Sequence, residues 1–278
     1  MRKTLFALLL VALPAGAEEA PALSGITMVR VGGAGAVLDV EAFAAAPASR
    51  IALLPQVAAT PRNPAPATSA IEVRALRNDD HAAFLLEWED DTPDVRATLD
   101  GFGDMVALQF PVAAGAPPVP FMGNPGGRVQ ILQWRADWQT DMERGATTMR
   151  ELYPNSYAAD FHHADHLPAA EAAAYEGAVS LGNPMSVQER KSAVQDLVAE
   201  GFGSLTPRAT QAASGRGTND GRRWRVVVTR PLAPAGESAA DLAPGTSTNV
   251  SFAVWNGSKG EVGARKAWAA WVPIEVPK

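Results

Sequence analysis

The sequence predicts a mainly β protein, an antiparallel β-sandwich carrying one long, partly helical insertion. Short stretches rich in β-branched and aromatic residues recur between Gly, Pro, Asn and Asp, which is how strands and their turns read. Several of them alternate with a period of two. Phe84, Leu86 and Trp88 oppose Glu87 and Glu89; Trp224, Val226 and Val228 oppose Arg225 and Thr229; Val250, Phe252 and Val254 oppose Ser251. Alternation of this kind gives each sheet one apolar face, and two such faces bury each other. Residues 139–220 break the rhythm, and their polar, irregular length marks them as the insertion.

Taken in order, the chain opens as a secretory leader over residues 1–17. Arg2-Lys3 precedes an apolar run at 5–13, and Ala15-Gly16-Ala17 precedes Glu18-Glu19, so cleavage is expected after Ala17. The apolar run is shorter than the roughly 20 residues a membrane helix needs, and no later run reaches that length. Arg2 is followed by Lys3 rather than a second arginine, so export in the unfolded state to the periplasm is expected. The mature domain, 18–278, should form strands over 26–31, 36–40, 50–55, 70–77, 82–89, 104–111, 128–135, 223–230, 249–255 and 268–275. Residues 56–69, rich in Pro and Ala, read as a surface loop. Within the insertion, the capping box Ser186-Val187-Gln188-Glu189 and the stripe Val187, Val194, Leu197 and Val198 predict a helix ending before Gly201.

Composition removes many chemistries. Cysteine is absent, which excludes disulfides, iron–sulfur ligation, thiolate zinc and covalent haem attachment in this chain. The formal charge of −6 becomes about −8 once Arg2 and Lys3 leave with the leader, so nucleic acid is not an expected partner. No G-x-S-x-G, phosphate-binding loop or dinucleotide fingerprint is present. Four histidines remain as metal candidates. His162, His163 and His166 gather around Asp165 without a zinc spacing, and a solvated role explains them. His81 follows Asn78-Asp79-Asp80, which reads as a hairpin turn. Met122, in the apolar loop Pro120-Phe121-Met122-Gly123-Asn124-Pro125, and Lys266, in Gly263-Ala264-Arg265-Lys266, are further candidates. Each also has an ordinary reading, as gap filler and as solvated strand end.

Several phrases then appear in a recognisable order: Phe84-Leu85-Leu86-Glu87-Trp88 with Asp91, the run from Asp104 to Pro111, Phe121-Met122-Gly123-Asn124-Pro125, the run from Val129 to Trp138, Trp224 to Leu232, and Phe252 to Gly257 through Arg265-Lys266 to Trp271. On these the chain resembles the haem b (gamma) subunits of the type II dimethyl-sulfoxide-reductase family of molybdenum enzymes, the group that includes dimethylsulfide dehydrogenase, ethylbenzene dehydrogenase, selenate reductase and chlorate reductase. The resemblance implies a carbohydrate-binding-module-like β-sandwich holding one non-covalent haem b. It implies Met122 and Lys266 as the axial ligands of the haem iron, and hence as the cofactor-binding residues. Ala264 stands where relatives often have a second glycine. It implies electron transfer with no catalytic residue in this chain, within a heterotrimer whose partners hold the molybdenum cofactor and iron–sulfur clusters, and a soluble cytochrome c as external partner.

Two rival readings stay open at this level. One is an exported carbohydrate-binding module without haem, stacking sugar on Trp134, Trp138 or Trp255. The other keeps haem but ligates it through His81 or a histidine of the 162–166 cluster. The lysines after the leader are Lys191, Lys259, Lys266 and Lys278, so few amines compete with Lys266.

Overall fold

The computed structural model describes residues 25–155, 168, 183 and 190–278. In chain order the strands are β1 (Ile26–Arg30), β2 (Ser49–Ala52), β3 (Leu54–Pro55), β4 (Ala70–Arg77), β5 (His81–Glu89), β6 (Met105–Pro111) and β7 (Val129–Arg135). Helix α1 (Ala136–Arg144) follows directly. Then come β8 (Val194–Ala199), β9 (Thr206–Pro207), β10 (Ser214–Asn219), β11 (Arg223–Pro231), β12 (Ser247–Trp255), β13 (Ala267–Trp268) and β14 (Val272–Glu275).

The strands form one continuous sheet in the order β10-β11-β5-β4-β1-β14-β12-β6-β7-β8-β9, which curls until its two halves face each other. The inward faces share a single core. Phe84 of β5 meets Phe110 of β6 with ring centroids 5.7 Å apart, and Trp224 of β11 meets Trp134 of β7 at 5.1 Å. Each such aromatic pair adds about 0.5–1.5 kcal/mol beyond the area it buries. The inward residues are those the alternation predicts: Phe84, Leu86 and Trp88, Trp224, Val226 and Val228, and Val250, Phe252 and Val254 all belong to this core.

The β-sandwich is therefore as expected, with one departure in strand direction. β1 runs parallel to both neighbours, pairing Ile26 with Ile274 of β14 and Met28 with Ala75 of β4, and so joins the two halves. The remaining ladders are antiparallel.

Three local expectations are corrected. Residues 36–40 make no strand; the chain enters a 3-10 turn at Val40–Phe43, capped by the Asp39 carboxylate on the Glu41 N–H. The run 268–275 is broken between β13 and β14. Residues 194–219, read as part of the insertion and in part as a helix, are strands β8 to β10 of the two layers. β8 is buried on both faces, so Val194, Leu197 and Val198 showed a false helical stripe. β10 reads as a loop because Gly215 and Gly217 lie under the Trp134 indole, where an added Cβ would come within 3.2 and 2.5 Å of ring carbons. The leader at 1–17, the capping box at 186–189 and the histidines 162, 163 and 166 lie outside the described residues. Among the described residues no helix is long and apolar enough to cross a membrane.

Candidate functional site

The half-sheet containing β12, β6, β7 and β8 is apolar on both faces. Leu132 and Trp134 point into the core, while Met105, Ile131, Leu197 and Trp255 point outward and form a second apolar cluster. Among the described residues no second sheet covers this outer face. Loops from 56–60, 118–123, 201–207 and 262–266 rise around it and enclose a cavity of about 690 Å³. That volume falls within the roughly 300–1,000 Å³ of clefts that hold small molecules and cofactors. Met105, Ile131, Leu197 and Trp255 make its floor, and Phe202, Leu205 and Val262 make an exposed apolar rim.

Met122 and Lys266, far apart in sequence, line this same cavity and an adjoining recess with Pro120 and Trp268. Met122 arrives on a tightly braced loop. Its own φ is +66°, in the left-handed region, which costs a non-glycine residue about 1–3 kcal/mol unless its surroundings hold it there. They do hold it. The Gly201 N–H donates to the Met122 carbonyl at 2.8 Å, and the Gly123 N–H donates to the Val119 carbonyl at 3.2 Å. Asn124 and Gly127 exchange two backbone hydrogen bonds. Gly123 has φ +78°, and a Cβ there would sit 2.3 Å from the Gly127 carbonyl oxygen, so the position accepts only glycine.

Lys266 enters from a loop pinned at Gly263, whose carbonyl accepts the Trp255 indole N–H at 2.9 Å. Its amine lies over the Trp255 ring at 5.4 Å and makes no hydrogen bond or ion pair among the described residues. Burial pushes the amine down to about 8, toward the neutral form that can bind a metal. A thioether and an amine of this kind, facing an apolar hollow, form a donor set for a soft or borderline metal.

Other candidates fall elsewhere. His81 starts β5 just after the hairpin turn, with Nδ1 2.8 Å from the Asp80 carboxylate, and does not line the cavity. Lys259 lines a separate, charged depression with Asp91, Arg222 and Arg225. Trp134, Trp138 and Trp255 are 0%, 4% and 5% exposed. A sugar-stacking platform needs an open ring face, so the role that the carbohydrate-binding alternative gave these three is corrected.

Met105 and the loop residues Phe121 and Gly201 were missed by the sequence reading. Met105 is signalled by the alternation within 105–110, but its thioether already accepts the Gln133 amide at 3.3 Å. Asp104 carried no obvious signal. It is fully buried and accepts N–H bonds from Asp94, Gly257 and the Trp224 indole, tying the loop after β5 to both halves of the sheet.

The family described as ethylbenzene dehydrogenase matches residues 41–267. The chain is 26% identical over 202 residues to the chlorate reductase subunit gamma of Ideonella dechloratans, covering 72% of this chain and 62% of that protein. It is 24% identical over 234 residues to a protein of Haloferax mediterranei named provisionally as a respiratory nitrate reductase heme subunit, covering 83% of this chain and 64% of the relative. The chain thus spans less than two thirds of either relative's length. Among solved structures, a protein of Bacteroides uniformis named provisionally as carbohydrate-binding aligns with 7% identity and a TM-score of 0.44, over 92% of each chain. A family 9 carbohydrate-binding module of Caldicellulosiruptor kristjanssonii in complex with glucose aligns with 10% identity and a TM-score of 0.39, over 89% of this chain and 95% of the module.

Proposed function

The chain belongs to the ethylbenzene dehydrogenase family, and from that premise we propose that it is a haem-carrying electron-transfer subunit of a molybdenum oxidoreductase. The observation that carries the reading is the convergence of Met122 and Lys266 on one apolar cavity, where the Lys266 amine has no hydrogen-bond or ionic partner among the described residues and is shifted toward its neutral form. The residues fit a haem. An apolar floor suits a porphyrin face, and a soft thioether and a borderline amine lining the same cavity suit ligation of iron. When bound, the haem supplies a one-electron couple, and a methionine ligand raises its potential.

The chain's own residues do the rest. Met122 and Lys266 would both hold the iron, and an iron held by two protein donors favours a carrier over a catalyst. Ile131, Leu197 and Trp255 exclude water, and the Gly263 loop keeps the Lys266 backbone fixed. The finer reading is one haem b per chain, held without covalent attachment, in a heterotrimer with a molybdenum-cofactor subunit and an iron–sulfur subunit. Within it the chain would exchange electrons with a cytochrome c in the periplasm, after removal of a leader at 1–17. A dimethylsulfide dehydrogenase-like complex is the reading closest to the phrases in the sequence.

The test is the visible and near-infrared magnetic circular dichroism spectrum of the protein purified with its natural partners. A low-spin haem b with methionine–amine charge-transfer features is expected, and these should be lost in Met122→Ala and in Lys266→Ala. A protein free of haem would end this reading; a haem whose spectrum ignores both substitutions would return the histidines to first place.

A further inference from the structure

We infer that Phe121 is a positioning residue that sets the separation between Met122 and Lys266, an inference that rests on the haem reading above. The Phe121 ring lies against Trp268 with centroids 4.5 Å apart at 56°, and toward Phe202 at 6.3 Å. Each neighbour belongs to a different ligand's support. Trp268 stands two residues beyond Lys266 in β13, which is held on both sides through Ala253 of β12 and Leu54 of β3. Its indole N–H donates to the Pro55 carbonyl at 3.0 Å. Phe202 belongs to the turn after β8, next to the Gly201 N–H that grips the Met122 carbonyl.

Phe121 therefore links the methionine loop, the lysine strand and the turn that braces the methionine. Its burial does not account for it: the residue is half-buried, and Phe202 on its far side is 54% exposed. The two donors come from separate loops, and metal–ligand bonds tolerate errors of only about 0.2 Å. A rigid bracket between those loops supplies that tolerance, because ligand geometry is kept by the packing behind it. If the bracket loosens, the left-handed φ of Met122 has a downhill route to the ordinary region, and that rotation would displace the thioether.

The test compares Phe121→Leu, Trp268→Leu, the double variant and the conservative Phe121→Tyr, each purified with its haem. Readouts are reduction potential, near-infrared magnetic circular dichroism, haem release to an apoglobin acceptor, and melting of the haem-free protein. Phe121→Leu is expected to lower the potential, weaken the thioether–iron band and release haem about tenfold faster, equivalent to about 1.4 kcal/mol. Haem-free melting should change little, and Phe121→Tyr should restore the wild-type values. Trp268→Leu should reproduce the effect, and the double variant should be no worse than either single one, since the residues act as one contact. Wild-type potential and spectrum in Phe121→Leu would overturn the inference while leaving the haem reading intact. So would equal effects from Val227→Ala, which lies in a separate cluster and reports only general stability. Absence of haem from the wild-type protein would remove the reading on which the inference rests, and the inference with it.

Discussion

Gly123 is the residue on which the methionine loop turns, because its φ of +78° and its approach to the Gly127 carbonyl leave no room for a Cβ. Gly123→Ala should therefore destabilise the fold by about 1–3 kcal/mol and displace Met122, seen together as a lower melting temperature and lost haem. An alanine variant that melts and binds like wild type would show that the loop bends freely. Asp104 makes a second prediction at this scale. Burial chiefly, with help from the Asp90 charge, pushes its carboxyl up to about 7 against the pull of its N–H donors. The folded state then keeps the proton to higher pH than the unfolded chain, so stability falls as pH rises from about 4 to about 7 and levels off above. Urea titrations across that range should show this slope in wild type and a flatter one in Asp104→Asn; parallel slopes would count against it. That Met122 and Lys266 belong together was suggested only by the resemblance to a family, and the structure places both on one cavity. Spacing cannot reveal that two loops so far apart in the chain share one cavity, nor that Phe121 and Trp268 would meet between them.

Several strands were legible to within a residue or two, as β4, β5, β7 and β11 show. β8 was not, and its chemistry explains why. Asp196 sits at its centre, buried, with its carboxylate accepting from Gln130 and paired with Arg208 at 2.6 Å. Arg230, held by Gln130 and the Ala240 carbonyl, lies in the same network, and its burial lowers it to about 10. A charged residue inside a strand hides the alternation that would identify it. Asp196→Ala should cost about 3–5 kcal/mol in denaturant unfolding, because it leaves buried guanidinium charge without its carboxylate. A loss below about 1 kcal/mol would mean the network is solvated. β10 hides for a different reason: its glycines are shaped by Trp134 on the opposite half-sheet, a partner that no local pattern contains. Gly217→Ala should overpack that contact by about 1–3 kcal/mol, read as a lower melting temperature with the strand order unchanged.

For the whole molecule, alternation predicted two apolar faces closing on each other, and the shared core of Phe84, Phe110, Trp134 and Trp224 is that closure. What alternation could not give is the path by which one sheet becomes two layers, since a parallel strand between layers leaves no local mark. A molecule with one core across both halves should unfold as a unit, so tryptophan fluorescence and far-ultraviolet circular dichroism should give coincident transitions; separated midpoints would mean that the halves unfold independently. The pairing of β1 with β14 has a temporal side as well. Ile26 bonds to the strand of Ile274, so the seam between the layers joins segments from nearly opposite ends of the described chain. Such a topology has high contact order and pays its loop-closure entropy late, which makes folding slow compared with a protein built from local hairpins. The layers are joined only when the last strand is in place, so the seam between them is the latest part of the sheet to be completed.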